Sequence, residues 1–285
     1  MKSGMKMEIQ FCNRNDKTYQ KKLNALLSAV FFDFRFWYDL DLWDENYESY
    51  SIWLADEIVS NICVFKVKGV RNGAAFDALS LGAIATKADC RGRGYARAIL
   101  EHILAKHPDM PMFLSANESV LGFYPRFGFT RVYEKLPTAV YTIHNDCTAH
   151  KLPHTALRVR DAVYQRCNIF TRLDCLNTQS VNMFHLYAGE WADCIYDVPA
   201  CDSVVVARQS GETLYTAAVF AQKETTFAAL AKALPFLGVT KVEFGFMPFW
   251  KDLDYTMEPY DGDPIFVRSV QCELGDFKLP DFSYT

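Results

Sequence analysis

The chain has 285 residues, of which 50% are apolar, 22% charged and 15% aromatic, and its formal net charge is -4. Length and composition describe a globular protein with a sizeable core, large enough for one big domain or two ordinary ones. The charge excludes a whole-molecule attraction to nucleic acid or anionic membrane.

No apolar run approaches the roughly 18 residues a membrane-spanning helix needs. Residues 1–10 carry Lys2 and Lys6 but no apolar stretch behind them, so they do not read as a secretory signal. The nine cysteines contain no Cys-x-x-Cys. His150 and His154 are separated by Pro153 and have only Cys147 near them, so no metal site is expected. Unpaired, scattered cysteines suit a cytoplasmic location.

Alternation over Met7 to Asn13 predicts a first strand. Leu23, Leu26, Leu27 and Val30 fall at helical spacing behind Asp16, which predicts a capped helix over Lys17 to Val30. Phe31 to Trp53 is dense in aromatics and acids. Ser51 to Leu54 and Ile58 to Val70 read as strands around a polar turn. Arg71-Asn72-Gly73 is the next turn, and the small apolar run Ala74 to Thr86 reads as a buried central strand. A loop, Lys87 to Gly94, precedes an amphipathic helix with Ala96, Ile99, Leu100, Ile103 and Leu104 on one face, ended by His107-Pro108. Met112 to Ala116 is a short strand, Glu118 to Phe127 a short helix broken at Gly128, and Thr130 to Thr142 one or two closing strands.

The polar stretch Thr142 to Thr155 has no apolar period and marks a boundary, giving one domain over 1–145 and a second over 151–285. In the second, Ala156 to Val159 reads as a strand and Asp161 to Phe170 as a helix. Ser203 to Ala207 and Thr213 to Phe220 form a hairpin around Ser210-Gly211-Glu212. Phe227 to Leu234 is a helix and Thr240 to Met247 a strand. The two halves are faintly alike, with Ile52 to Phe65 set against Val204 to Phe220 and a helix followed by a strand in each. The second half has no glycine-rich loop before its helix.

Arg91-Gly92-Arg93-Gly94-Tyr95-Ala96 lies between a buried strand and an amphipathic helix. A loop there aims backbone N–H groups and the positive end of the helix dipole outward, which suits a pyrophosphate. Gly92 and Gly94 let the backbone approach an anion, and Arg91 and Arg93 add charge. The plainer alternative is a glycine-rich turn with two solvated arginines. A Walker loop is excluded because no Gly-Lys-Ser/Thr follows, and a dinucleotide fingerprint fails at Arg97, where a third glycine would stand.

Arg91-x-x-Gly94-x-Ala96 opening a helix after a strand resembles the coenzyme A pyrophosphate loop of the GNAT acetyltransferase superfamily. Leu81 to Thr86 looks like that family's fourth strand, whose backbone at Ile84, Ala85 and Thr86 would meet the pantetheine. Asn117 and Phe123-Tyr124-Pro125-Arg126-Phe127-Gly128-Phe129 resemble its second signature. The resemblance covers about residues 7–142. It implies an α+β fold in three layers, a mixed and mostly antiparallel sheet flanked by helices. The endings Asp263 to Arg268 and Leu279 to Thr285 are similar to tandem members, distantly those of the enhanced-intracellular-survival type. That likeness implies a second, GNAT-like α+β domain without a cofactor loop.

The activity implied is acetyl-CoA-dependent acetylation of a primary amine on a small molecule or peptide, with no metal. Cofactor contacts fall on Ile84, Ala85, Thr86, Arg91, Gly92, Arg93, Gly94, Tyr95, Ala96, Asn117 and Phe123. Tyr124 is the candidate general acid, because a phenol of pKa ~10 is neutral at pH 7 and can reprotonate a thiolate; the alternative is that it only packs. The base is open between the C-terminal carboxylate of Thr285, Asp77 and water. The family's usual strand-four position falls near Ser80, which is not a base. The aromatics and acids of Phe31 to Tyr50 suit a cationic amine, or are an acidic loop with its rings in the core. Rival readings are a coenzyme A sensor without chemistry and transfer of a longer acyl group. The pattern does not set the oligomeric state, and a homo-oligomer stays open.

Overall fold

Two mixed sheets share the chain in the computed structural model, which describes residues 8–12, 14–144, 146–167, 170–270 and 274–284. In chain order the first half contains β1 (Ile9–Cys12), α1 (Lys17–Val30), α2 (Arg35–Asp39), β2 (Tyr47–Leu54), β3 (Glu57–Arg71), β4 (Ala74–Thr86), α3 (Tyr95–Lys106), β5 (Met112–Ser115), β6 (Thr130–Val132) and β7 (Lys135–Val140). The second half contains β8 (His150–Lys151), α4 (Leu157–Gln165), β9 (Leu173–Cys175), α5 (Gln179–Tyr187), β10 (Ile195–Val198), β11 (Ser203–Ser210), β12 (Thr213–Ala221), α6 (Phe227–Ala233), β13 (Lys241–Phe244), β14 (Thr256–Pro259) and β15 (Ile265–Arg268).

The first sheet runs β1-β2-β3-β4-β5-β15-β6, with β9 added beside the far end of β3. Its pairs are antiparallel except β4 with β5. The second runs β14-β7-β13-β12-β11-β10-β8, with β12 and β13 its parallel pair. The sheets exchange strands across the expected boundary near residue 145. β7 precedes it yet pairs with β13 and β14, and β15 follows it yet sits between β5 and β6. Polar composition marks where the chain is exposed. It does not record which sheet a strand joins.

Helices cover both faces of the first sheet, which is why β3 and the middle of β4 are apolar on both sides. Ile99, Leu100 and Ile103 of α3 pack with Ile62, Val64, Leu79 and Leu81 on one face. On the other, Tyr19, Leu23, Leu26 and Leu27 of α1 join Trp37 and Trp43 in a core that continues into the second half through Val163, Val204, Phe220 and Phe282. The halves therefore share one apolar interior, and the aromatics of 31–50 are part of it.

The capped helix α1 forms as expected, with Asp16 accepting from Tyr19 N at 3.0 Å. Three expectations need correction. Residues 156–159 are not a strand: Ala156 is the cap of α4 and Leu157 its first residue, since the β-branched Val159 packs as well on a helix face as on a sheet. Glu118 to Phe127 is not one helix but two 3-10 turns, Glu118–Val120 and Tyr124–Phe127. The likeness between halves is displaced by one hairpin, because parallel pairing makes β12-α6-β13 the counterpart of β4-α3-β5.

Candidate functional site

The site begins where β4 and β5 part. Only Leu79 and Ser80 of β4 pair with β5, so from Leu81 to Thr86 β5 leaves that backbone edge uncovered. On the other side the β3–β4 register slips between Asn61 and Cys63. The extra residue puts Ala83 at φ 45, a left-handed conformation that costs a non-glycine residue of order 1–3 kcal/mol. Buried side chains hold the bulge. Asn61 donates to the Ala83 carbonyl at 3.3 Å and accepts from Ser49 and Ser51 at 2.7 and 2.8 Å, and Tyr19 hydroxyl meets Ser49 at 2.8 Å. Sequence reasoning missed this set. Its trace is a polar Asn61 inside an apolar strand, opposite serines at alternate positions.

The chain leaves β4 through a 3-10 turn, Ala88–Cys90, whose Cys90 plugs into the core. Gly92 and Gly94 then take φ 73 and 84. A Cβ added to either would meet nothing within 4 Å, so the loop's outer face is open to a ligand. The first intrahelical bond of α3 runs from Ala98 N to Gly94 O at 3.0 Å. The N–H groups of Tyr95, Ala96 and Arg97 are thus left without helical acceptors at the positive end of the dipole. Arg91 and Arg93 are exposed and tie back to the Thr86 and Asp89 carbonyls at 3.3 and 2.9 Å. Those bonds brace the loop and keep its two guanidinium charges beside it.

The other expected contacts surround this splay. Ala85 and Thr86 pair with Asn61 and Ser60, and half-buried Ile84 follows the bulge. Asn117 is exposed and caps the turn after β5 by accepting from Ser119 N at 3.1 Å. Phe123 lies against Tyr124 and Phe127, with centroids 5.2 and 5.0 Å apart. Tyr124 is buried between Phe123, Phe129 and Phe266 of β15, and burial alone pushes its phenol up to about 12.

Neither β4 side chain offers a base. Asp77 is exposed and paired with Lys68 at 2.8 Å, six residues from the bulge, and Ser80 is buried. Thr285 lies outside the described residues. Tyr284, just before it, lines a pocket of about 190 Å³ with Ala83, Phe32, Phe34, Trp37 and Phe184. Phe32, Phe34 and Phe184 form a stack with successive centroids 4.5 and 5.4 Å apart. The aromatics of 31–50 therefore reach the bulge, but none of that segment's acids lines the pocket. Asp33 turns to Asn24 and Arg35, Asp44 accepts from Ser180, and Glu48 binds Lys66 and Tyr50.

Carboxylates gather instead on the other side of Tyr284. A cavity of about 430 Å³ there is bounded by Glu134, Glu190, Asp263 and Asp281, together with Lys278 and Trp191. The inner groups form a network. Lys278 reaches Asp281 at 2.7 Å and Glu134 at 3.5 Å, Tyr284 hydroxyl donates to Glu134 at 2.8 Å, and Tyr215 donates to Asp281 at 2.6 Å. Burial pushes the Glu134 carboxyl up despite the Lys278 charge. His185, half-buried and held below the ordinary histidine range by desolvation, donates from Nε2 to the Tyr284 carbonyl at 2.9 Å. The tail residues Lys278, Asp281 and Tyr284 meet Glu134, His185 and Tyr215 from distant segments, so only the fold assembles them.

A splayed parallel strand pair, a bulged fourth strand and a glycine loop opening the next helix are the features of a GNAT acetyltransferase domain. Residues 15–132 match the family model described as an acetyltransferase (GNAT) domain, and the chain carries that domain. Among solved structures, it is similar to Eis1 from Mycobacterium abscessus (14% identity, TM-score 0.56, covering 92% of this chain and 73% of the other). A GCN5-related N-acetyltransferase from Anabaena variabilis ATCC 29413 matches at 12% identity and TM-score 0.57, covering 92% and 72%. A protein from Enterococcus faecalis V583 described as a probable N-acyltransferase matches at 15% and 0.55 over the same shares. At these identities the likeness is one of fold. No curated protein sequence matches the chain. GNAT enzymes use acetyl-CoA, and the open-faced glycine loop and uncovered β4 edge fit that group. No cluster that could hold a metal ion is found among the described residues.

Proposed function

We propose that this protein is an acetyl-CoA-dependent N-acetyltransferase that acts on a primary amine of a small molecule or peptide. The observation that carries the reading is the conjunction at one splay: the Gly92–Gly94 loop opens α3, the Ala83 bulge marks the uncovered edge of β4, and Tyr124 is buried after β5. When bound, acetyl-CoA supplies the activated acetyl group. The backbone N–H groups of Gly94, Tyr95 and Ala96, with Arg91 and Arg93, would hold its pyrophosphate, Ile84, Ala85 and Thr86 would meet its pantetheine, and Asn117 and Phe123 would complete the site.

Each catalytic task then has a candidate. The aromatic pocket at Ala83 orients the acceptor and excludes water. The proton of the incoming ammonium goes to water or to a carboxylate at the pocket, for which the tail beyond Tyr284 is the candidate. Tyr124 Oη gives a proton to the departing thiolate and is recharged from solvent. The cavity beside the tail, where the carboxylates Glu134, Glu190, Asp263 and Asp281 outnumber Lys278 and Arg208, supports a cationic acceptor. The catalytic unit is the first sheet, β1 to β6 completed by β15, and the second sheet with α4 and α5 forms the wall opposite.

Calorimetric titration with acetyl-CoA, followed by a thiol-release screen over polyamines, aminoglycosides and peptide amines, tests this. Binding and turnover on at least one amine are expected. No binding at millimolar acetyl-CoA would sink the whole reading, and binding without turnover on any amine would replace it with a sensor.

A further inference from the structure

Ala83 is held at φ 45, where a residue with a Cβ is strained, and such a conformation persists only where the surroundings over-determine it. The register places the slip. Gly82 faces Cys63 and Ala85 faces Asn61, so Ala83 and Ile84 together oppose Ile62. An extra residue shifts the phase of a strand. It therefore decides which backbone groups of Ile84 to Thr86 turn toward the edge that β5 leaves uncovered.

The surroundings converge on one side-chain amide. Asn61 Nδ2 donates to the Ala83 carbonyl at 3.3 Å and to Cys63 Sγ at 3.2 Å, while Oδ1 accepts from the Ser49 and Ser51 hydroxyls at 2.7 and 2.8 Å. Both N–H groups and both oxygen lone pairs are in use. The two serines, from β2, fix which end of the amide faces β4, because reversing it would set its oxygen against the Ala83 carbonyl. Tyr19 of α1 closes the set from behind, its hydroxyl meeting both serines. Burial pushes that phenol up, so it keeps its proton. Asn61, Ser49 and Ser51 are each 0% exposed. An apolar side chain at position 61 would fill this place without desolvating any polar group. What the amide adds is direction: it ties one carbonyl of β4 to β2 and, through Tyr19, to α1.

We propose that Asn61 is a positioning residue that fixes where β4 bulges, and so which backbone groups of Ile84 to Thr86 meet the pantetheine arm of the donor. Its side chain is sealed in the core and acts through the Ala83 peptide. The inference rests on the splay being the acetyl-CoA site, and the experiment separates the two.

Asn61→Leu, Asn61→Leu combined with Ala83→Gly, and Ser51→Ala are compared with the wild type. The readouts are the acetyl-CoA Kd by calorimetry, kcat, and amide hydrogen exchange of two peptides, residues 79–87 at the bulge and residues 91–98 at the glycine loop. Asn61→Leu should raise the Kd by about tenfold or more and lower kcat, with faster exchange in 79–87 and unchanged exchange in 91–98. A glycine at position 83 holds φ 45 without strain, so the double variant should recover about threefold or more of the lost affinity. Ser51→Ala keeps the amide with one partner fewer. It should move Kd and exchange the same way by a smaller factor, and it carries the test if Asn61→Leu does not fold. Wild-type Kd and wild-type exchange at the bulge in these variants would overturn the positioning role. So would exchange that rises equally in both peptides, or a double variant no better than the single. If the wild type itself binds no acetyl-CoA, the donor-site reading fails and the role toward the donor falls with it; wild-type binding that Asn61→Leu leaves intact defeats the positioning role alone.

Discussion

Lys278 and Glu134 meet in the interior at 3.5 Å although 144 positions separate them, and their side chains are only 1% and 4% exposed. Glu134 sits between β6 and β7, where the chain passes from one sheet to the other, and Lys278 sits at the start of the tail. The pair therefore locks the crossover to the tail that returns past it. Lys278→Met would leave the Glu134 and Asp281 carboxylates facing each other without a cation, a loss of about 3–5 kcal/mol. Adding Glu134→Gln should restore part of it. The amide keeps an acceptor for Leu279 N and Tyr284 hydroxyl, which now bind Glu134 at 2.7 and 2.8 Å, and removes one buried charge. Urea unfolding of the single and double variants checks this: a double variant weaker than Lys278→Met would contradict the account.

The nucleotide loop yields a prediction with an internal control. Gly94→Val places a β-branched residue at φ 84, at about 1–2 kcal/mol of strain, and puts its side chain on the face where the anion binds. Gly73, in the turn between β3 and β4, has φ 83 and equally open space around it. Gly73→Val should cost the same stability and leave ligand affinity alone. Gly94→Val should raise the acetyl-CoA Kd by about tenfold or more, roughly 1.4 kcal/mol. Calorimetry and thermal melts on both variants distinguish lost binding from lost folding.

The first splay could be read in the sequence because its constraints are local. Gly92 and Gly94 stand next to the helix they open, and Ala96 to Leu104 give that helix its face. The bulge was not legible, because nothing in Leu81 to Thr86 says where β3 will slip; Asn61 settles it from across the sheet. The strand exchange was hidden for a related reason. β7 is exposed at one end and apolar in its middle, a pattern that fits an edge in either sheet. The buried charges of the tail were least visible of all. Lys278, Asp281 and Glu134 have the residue types of a solvated surface and become interior only because β15 and the tail return between the sheets. Sequence reasoning sought carboxylates in Asp33 to Glu48, where they are dense, whereas those bordering a cavity come from four distant segments.

Tyr124 has a role that kinetics can isolate. Removing its hydroxyl as Tyr124→Phe keeps the contacts with Phe129 and Phe266 and deletes only the proton donor. The expected loss is about 10²–10⁴-fold in kcat with acetyl-CoA KM nearly unchanged. Burial holds the phenol at about 12, above its ordinary value near 10. In the wild type it therefore keeps its proton up to about pH 10, and the rate should show no decline from its ionisation below that. An unchanged kcat on Tyr124→Phe would mean that the ring only packs and that the hydroxyl is not the acid.

His185 makes the docked tail sensitive to acid. Its pKa is lowered by burial, so the folded protein keeps the ring neutral where the unfolded chain, with a pKa near ~6.5, already takes up a proton. The unfolded state then binds more protons, and stability falls with decreasing pH. The contribution is whole above about pH 6.5 and is lost progressively below it, until the folded-state pKa is reached. Asp281, on the tail, favours the charged ring and opposes this, while desolvation is the larger effect and sets the sign. His107, also lowered by burial, adds a loss of the same direction. His185→Gln separates the two, because its amide can still donate to the Tyr284 carbonyl but does not titrate. Between pH 7.5 and 5.5, the wild-type melting temperature should drop further than that of His185→Gln, and exchange in residues 277–284 should rise in the wild type first. Equal drops would assign the acid sensitivity to His107 or to carboxylates elsewhere, and the tail would then be held independently of His185.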